Sequence, residues 1–121
     1  MDKSIKVGLF KQKYNTVLNT NFPIYDIVKS NGLKHHLIKN NHSNCLCYLD
    51  KIEEILHDPT YIGQNARHSN SIELIKRYDD NILVAMKLDN KHGCWYVASV
   101  YDVPEEKIIR RLHSGRLKKY K

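Results

Sequence analysis

The sequence predicts an α+β fold in which two helices pack on an antiparallel β-meander. Three observations predict it. Residues 71–76, 81–88 and 95–101 alternate apolar and polar side chains with the two-residue period of a half-buried strand. The connections between them, Tyr78-Asp79-Asp80-Asn81 and Asp89-Asn90-Lys91-His92-Gly93, have hairpin length and turn composition. Ahead of the meander, apolar residues recur at helical spacing.

The elements follow in order. Residues 5–10 and 24–28 are short strand candidates separated by a polar turn over 15–21, and Asn31-Gly32 marks the next turn. Residues 33–41 read as a helix with Leu33, Leu37 and Ile38 on its buried side. Ser43 or Asn44 can cap a second helix, in which Leu49, Ile52 and Leu56 recur at helical spacing. Asp58-Pro59 ends that helix, because the residue before proline disfavours the helical region. Residues 60–69, which contain Tyr61-Ile62-Gly63, read as a loop into the meander. Pro104-Glu105-Glu106 opens a last short helix with acids in its first turn, and Ser114-Gly115 ends it before a basic tail.

With 121 residues, no internal repeat and no Pro/Gly/Ser-rich linker, the chain reads as one domain over 1–121. Twenty basic against thirteen acidic residues give a net charge of +7. Such a field attracts polyanions, and nucleic acid is the common partner of a small basic domain. The excess gathers at the C-terminus in Arg110, Arg111, Arg116, Lys118, Lys119 and Lys121, although a basic tail also serves solubility. No apolar run approaches the roughly 20 residues of a membrane span, so no membrane partner is expected. The first residues lack the apolar core of a signal peptide. Cys45, Cys47 and Cys94 are odd in number and poorly spaced for zinc, which points to reduced thiols in a cytoplasmic chain.

Side chains alternate across a strand. If Ile72 and Leu74, Ile82, Val84 and Met86, and Tyr96, Ala98 and Val100 point to the core, then Glu73, Lys87, Ser99 and Tyr101 share the other face. An acid, an ammonium and two hydroxyls there form a reactive or ligand-binding surface; an ordinary solvated face has the same pattern.

The helix over 33–41 and its end are rich in titratable groups, namely Lys34, His35, His36, Lys39 and His42. At 100° per residue His35, Lys39 and His42 lie opposite Leu33 and Leu37, and His36 lies on the flank. An imidazole can take a proton from a sugar hydroxyl or return one to a leaving oxygen. An ammonium beside it can hold the phosphate whose charge grows in the transition state. The same histidines also suit a plain exposed face. His35 and His42 are seven residues apart with no Glu in the His-Glu-x-x-His arrangement, so zinc is the weaker rival and no metal or cofactor is expected. Arg116, just past a turn, offers the planar fork that fits a phosphate; cations and a glycine also favour a helix C-terminus.

Taken together, Leu33-Lys34-His35-His36-Leu37-Ile38-Lys39, Ile55-Leu56-His57-Asp58-Pro59-Thr60-Tyr61-Ile62-Gly63, Ser71-Ile72-Glu73-Leu74-Ile75-Lys76, Tyr96-Val97-Ala98-Ser99 and Ser114-Gly115-Arg116-Leu117-Lys118 carry a resemblance. In order and spacing they resemble the phage-borne barnase–EndoU–colicin–RelE-like nuclease domains over residues 24–119. The resemblance implies helices packed on an antiparallel sheet with RNA on its open face. It implies a phage- or prophage-encoded, toxin-like, metal-independent ribonuclease acting in the bacterial cytoplasm. In that chemistry the 2′-hydroxyl of RNA attacks its own phosphorus, leaving a cyclic phosphate.

The resemblance also implies roles. The helical histidine falls on His36 with Lys39 one turn on, the acid of the first meander strand on Glu73, the hydroxyl of the third on Ser99, and the tail arginine on Arg116. His42, Lys87, Tyr101, Arg110, Ser114 and Lys118 are the expected substrate contacts. Two departures stand out. Asn40-Asn41 replace a basic pair before His42, and Asp58-Pro59-Thr60-Tyr61 has one carboxylate fewer than the usual loop. Helical phase makes His35 the more exposed histidine, whereas the motif and the better-held flank favour His36. Expected partners are RNA, with transfer RNA among the candidates, and an acidic antitoxin or immunity protein. The alternative is a non-catalytic nucleic-acid-binding module, or a phage or toxin–antitoxin interaction protein, using the same basic face.

Overall fold

The computed structural model describes residues 4–30, 33, 49–65 and 67–121. In chain order these form β1 (Ser4–Leu9), α1 (Gln12–Leu18), β2 (Asp26–Ser30), α2 (Ile52–His57), β3 (Tyr61–Gln64), β4 (Ser71–Arg77), β5 (Asn81–Asp89), β6 (Cys94–Val103), α3 (Glu105–Ser114) and β7 (Leu117–Lys119). The strands make one sheet in the order β1-β2-β6-β5-β4-β3-β7. Its pairs are antiparallel except β2 with β6, which run parallel. The α+β class therefore holds, but the meander β4–β5–β6 is the centre of a larger mixed sheet. Helices lie on both faces.

The alternation of β4 and β5 builds two cores. Ile72, Leu74, Ile82, Val84 and Met86 face the first core, under Tyr14 and Leu18 of α1 and Ile52, Ile55 and Leu56 of α2. Ile75 and Leu83 face the other side, where Ile108 and Leu112 of α3 cover them together with Tyr61, Val103 and Leu117. Burying a side chain such as Ile108 stabilises by roughly 1.5–3 kcal/mol, so this second, smaller core is what anchors α3. Trp95 is fully buried in the first core, stacked on Phe10 at 4.6 Å between centroids, and its Nε1 donates to Pro23 O at 3.1 Å.

Three expectations are corrected. The polar turn expected over 15–21 is instead α1 and its end. Tyr14 and Leu18, four apart, are its buried stripe, and Lys11 Nζ and the Tyr14 hydroxyl donate to His57 O and Leu56 O of α2. The Asn and Thr residues that suggest a turn close the helix. Asn19 takes the left-handed conformation, and Asn15 Oδ1 accepts from the Thr20 hydroxyl at 2.9 Å and Phe22 N at 2.8 Å.

The loop expected over 60–69 contains strand β3, and the basic tail ends in strand β7. Each is four residues or fewer, and β3 is held between β4 and β7. The last helix begins and ends as expected, with Glu105 and Glu106 in its first turn and Gly115 at a φ of 82°. Of the helix expected over 33–41, only Leu33 is described, and it is buried in the first core; the rest lies outside the described residues.

The third correction concerns β6. A register shift between Ala85 and Met86 opposes Ala85 to Ser99 but Met86 to Val97, leaving Ala98 as the extra residue of a bulge. The bulge reverses the parity of the strand. Trp95 and Val97 point into the first core, and Tyr96, expected there, stands on the opposite face at 40% exposure.

Candidate active site

The strand register lays out a grid of nine residues on the face that α3 only partly covers. Its rows, read across β4, β5 and β6, are Ile75–Leu83–Tyr101, Glu73–Ala85–Ser99 and Ser71–Lys87–Tyr96. The first row belongs to the core under α3. The other two, with Tyr101, line an open cleft of about 580 Å³. Ala85 sits at the centre of the grid, and its single methyl leaves the depression between Glu73 and Ser99. The small side chain makes the floor.

Glu73 and Arg116 are the electrostatic core of the site. Glu73 is 3% exposed, and its Oε1 accepts from Arg116 Nη2 at 2.9 Å. A buried carboxylate needs such a partner, because unpaired it costs several kcal/mol of desolvation. Local backbone chemistry delivers the arginine. Gly115 makes the left-handed turn after α3, the Ser114 hydroxyl donates to Arg111 O at 3.1 Å, and the same oxygen accepts from Arg116 N at 3.3 Å. Chain pairing then fixes it: Gln64 N donates to Arg116 O at 3.3 Å, and Leu117 pairs with Gly63. A Cβ on Gly63 would stand 2.7 Å from Arg116 O, so only glycine lets the chain pass this close.

Tyr101 stands at the border of the cleft and the second core. Burial pushes its phenol above the usual value; the Glu73 charge raises it further, and Arg111 and Arg116 pull it down. The phenol is thus a proton donor across the neutral range. Lys87 is exposed and lines the same cleft.

Five of the residues singled out by the sequence come together here: Glu73, Lys87, Ser99 and Tyr101 in the cleft, and Arg116 through its ion pair. Arg110 and Ser114 line a separate cavity with Arg116. The Ser114 hydroxyl is engaged in the turn rather than turned to the cleft. Lys118 pairs with Ile62 and so belongs to the face opposite Glu73. His35, His36, Lys39 and His42 lie outside the described residues.

The structure adds Ser71, Tyr96, Asn65 and His68 to the cleft wall. The parity reversal hides Tyr96 from a reading by strict alternation. His68 is an exposed imidazole whose only sequence signal is its place just before the first meander strand. Ser30 and Leu33 close the far end. Among the described residues no three His, Cys, Asp or Glu side chains are grouped to hold a metal ion, and no helix is long and apolar enough to cross a membrane.

A paired carboxylate, hydroxyls and an ammonium gathered on an open sheet face are groups suited to cleaving a phosphodiester. Residues 5–110 match the family described as phage-Barnase-EndoU-ColicinE5/D-RelE like nuclease 3, and the chain belongs to it. It is a nuclease family; the matched span includes Glu73, Lys87, Ser99 and Tyr101 and stops short of Arg116. No curated protein and no solved structure gives a significant match.

Proposed function

We propose that the protein is a metal-independent, toxin-like endoribonuclease. The 2′-hydroxyl of a ribose loses its proton to a base and attacks the adjacent phosphorus. The 5′-oxygen leaves with a proton from an acid, so that a 2′,3′-cyclic phosphate and a 5′-hydroxyl remain. The observation that carries this reading is the pair of a buried Glu73 with a partly exposed Arg116, beside a cleft that also holds Lys87, Ser99 and Tyr101. Proton transfer and charge stabilisation by such groups are what the transesterification requires.

In this reading His36 supplies the acid or base and Lys39 and Arg116 hold the scissile phosphate. Ser99, Glu73 and Lys87 position the substrate or complete the proton transfers. Leu33 lines the cleft. His42, Tyr101 and Arg110 would contact the flanking nucleotides; Lys118, on the opposite face of the sheet, is not among these contacts. The net charge of +7 favours a polyanion, with transfer RNA among the candidates. An acidic antitoxin or immunity protein would compete for the same charges.

The test is incubation with total and transfer RNA in EDTA, using the wild type and the His36→Ala, His68→Ala and Glu73→Gln variants. Cleavage by the wild type that leaves cyclic-phosphate ends, and a loss of about 10²–10⁴-fold on His36→Ala, is expected. A loss under threefold would move the imidazole role away from His36, to His68 if that variant is the inactive one. Intact RNA under salt-sensitive binding would make the protein a non-catalytic RNA-binding module.

A further inference from the structure

The last helix carries a stripe of cations that the cleft does not use. Its three cations, Lys107, Arg110 and Arg111, are spaced i, i+3 and i+4 on one face of α3, and Ser114 follows at i+7. Together with Arg116 they line a cavity of about 300 Å³, with no carboxylate among its described lining residues. Like charges three or four apart on a helix repel one another. The helix dipole favours a cation in the last turn, but Lys107 stands in the first turn, where a cation is disfavoured. Helix stability does not account for the stripe.

Two donors in this wall lack acceptors. Arg111 Nη1 and Arg116 Nε are closed off from solvent and have no hydrogen-bond partner among the described residues. A buried donor left unpaired is costly, and an oxyanion would satisfy both guanidinium groups while offsetting the repulsion along the helix. The cavity also adjoins the cleft: Arg116, which lines the cavity, donates to Glu73, which lines the cleft. Arg116 gives Nη2 to Glu73, and its Nε has no acceptor among the described residues.

We propose that this cavity is a second phosphate site, which holds the RNA backbone phosphate next to the one that is cleaved. That the phosphate belongs to RNA rests on the ribonuclease reading above. Arg111 and Lys107 become binding residues, and Arg116 joins the two sites.

The test has two readouts, neither of which depends on cleavage. The first follows the arginine Nε–Hε resonances of the wild type during titration with inorganic phosphate. Saturable shifts at Arg111 and Arg116, without a matching shift at the exposed Arg67, are expected. The second measures binding of a 2′-O-methyl RNA hexamer, which cannot be cut, against salt. Lys107→Gln and Arg111→Gln should each lower the slope of log K on log salt by about 0.7, one single-strand phosphate contact. Absence of saturable shifts would overturn the site. Shifts with unchanged slopes would overturn it as an RNA site. If both readouts hold while RNA stays intact in EDTA, the site stands and the ribonuclease reading falls. If RNA is cut but neither readout responds, the site falls and the reading stands.

Discussion

Arg116 Nη2 lies 2.9 Å from Glu73 Oε1, so an ion pair ties the middle of β4 to the two-residue connection between α3 and β7. The two sides of the pair differ in exposure. The Glu73 side chain is 5% exposed and that of Arg116 30%. Removing the arginine therefore strands a buried charge, whereas removing the acid leaves a cation that water still reaches. Arg116→Met should lower stability by about 3 kcal/mol and Glu73→Gln by clearly less. The loss in the double variant should fall short of the sum of the two single losses by about 0.5–3 kcal/mol. Urea unfolding followed by the fluorescence of Trp95, the single tryptophan, measures all three.

Ala85 separates Glu73 from Ser99 in the middle row of the grid. Ala85→Leu should place a branched side chain over the floor of the cleft and block the approach of a phosphate to both. Because that face is open, the strand itself should tolerate the change within about 1 kcal/mol. Cleavage of RNA, or binding of the 2′-O-methyl hexamer, should drop more than tenfold while the melting temperature moves by only a few degrees. An active Ala85→Leu variant would place the reaction elsewhere.

The legible parts of this fold were those whose signals are local. Period-two alternation marked β4 and β5, the hairpin turns marked their connections, and Pro104 and Gly115 bracketed α3. Glu73, Lys87, Ser99 and Tyr101 were found because alternation alone put them on one face. The missed elements depend on partners distant in sequence. β3 and β7 are too short to be recognised alone and exist because Gly63 pairs with Leu117. The bulge at Ala98 inserts one residue, and that single insertion moved Tyr96 from the expected core to the cleft wall. In α1 the buried Tyr14 and Leu18 were outweighed by Asn15 and Asn19, which clamp and end the helix.

Gly63 tests whether this distant pairing places Arg116. A methyl at that position would meet Arg116 O at 2.7 Å and Leu117 Cδ1 at 2.9 Å. One of these contacts is backbone, so β7 has to move rather than a side chain. Gly63→Ala should cost about 1–3 kcal/mol and weaken the Gln64 N–H to Arg116 O bond. Faster hydrogen exchange at the Gln64 amide, together with lower activity, is the expected outcome. Unchanged exchange would show that β7 does not depend on the glycine.

Asp58 links pH to stability on the other side of the sheet. The hydrogen bond from Lys121 holds its carboxyl below the ordinary value of 3.8, partial desolvation opposes this, and the charges of Lys121 and Lys76 add to the lowering. A depressed carboxylate contributes stability that is present above the unfolded value and lost as pH falls through the folded one. Asp58→Asn should therefore lower the melting temperature at pH 6, and the gap to the wild type should close as the pH drops below 3.8. Added salt should shrink the gap at pH 6, since the carboxylate is solvent-exposed.

Tyr101 reads the field of the site from within. Burial and the Glu73 charge both raise its phenol above the ordinary value of 10.0, and Arg111 and Arg116 act the other way. A raised phenol favours the neutral form in the fold, so its contribution to stability is present below 10.0 and lost as pH rises through the folded value. Subtracting the alkaline absorbance titration of Tyr101→Phe from that of the wild type isolates this one group. The difference should titrate above 10.0. Repeating the subtraction in a Glu73→Gln background should move the transition down, because a charge that opposes ionisation is gone. In an Arg116→Met background it should move up. Opposite responses follow only if the acid and the arginine both stand close enough to act on the same phenol, so shifts of equal sign would contradict the arrangement of the site.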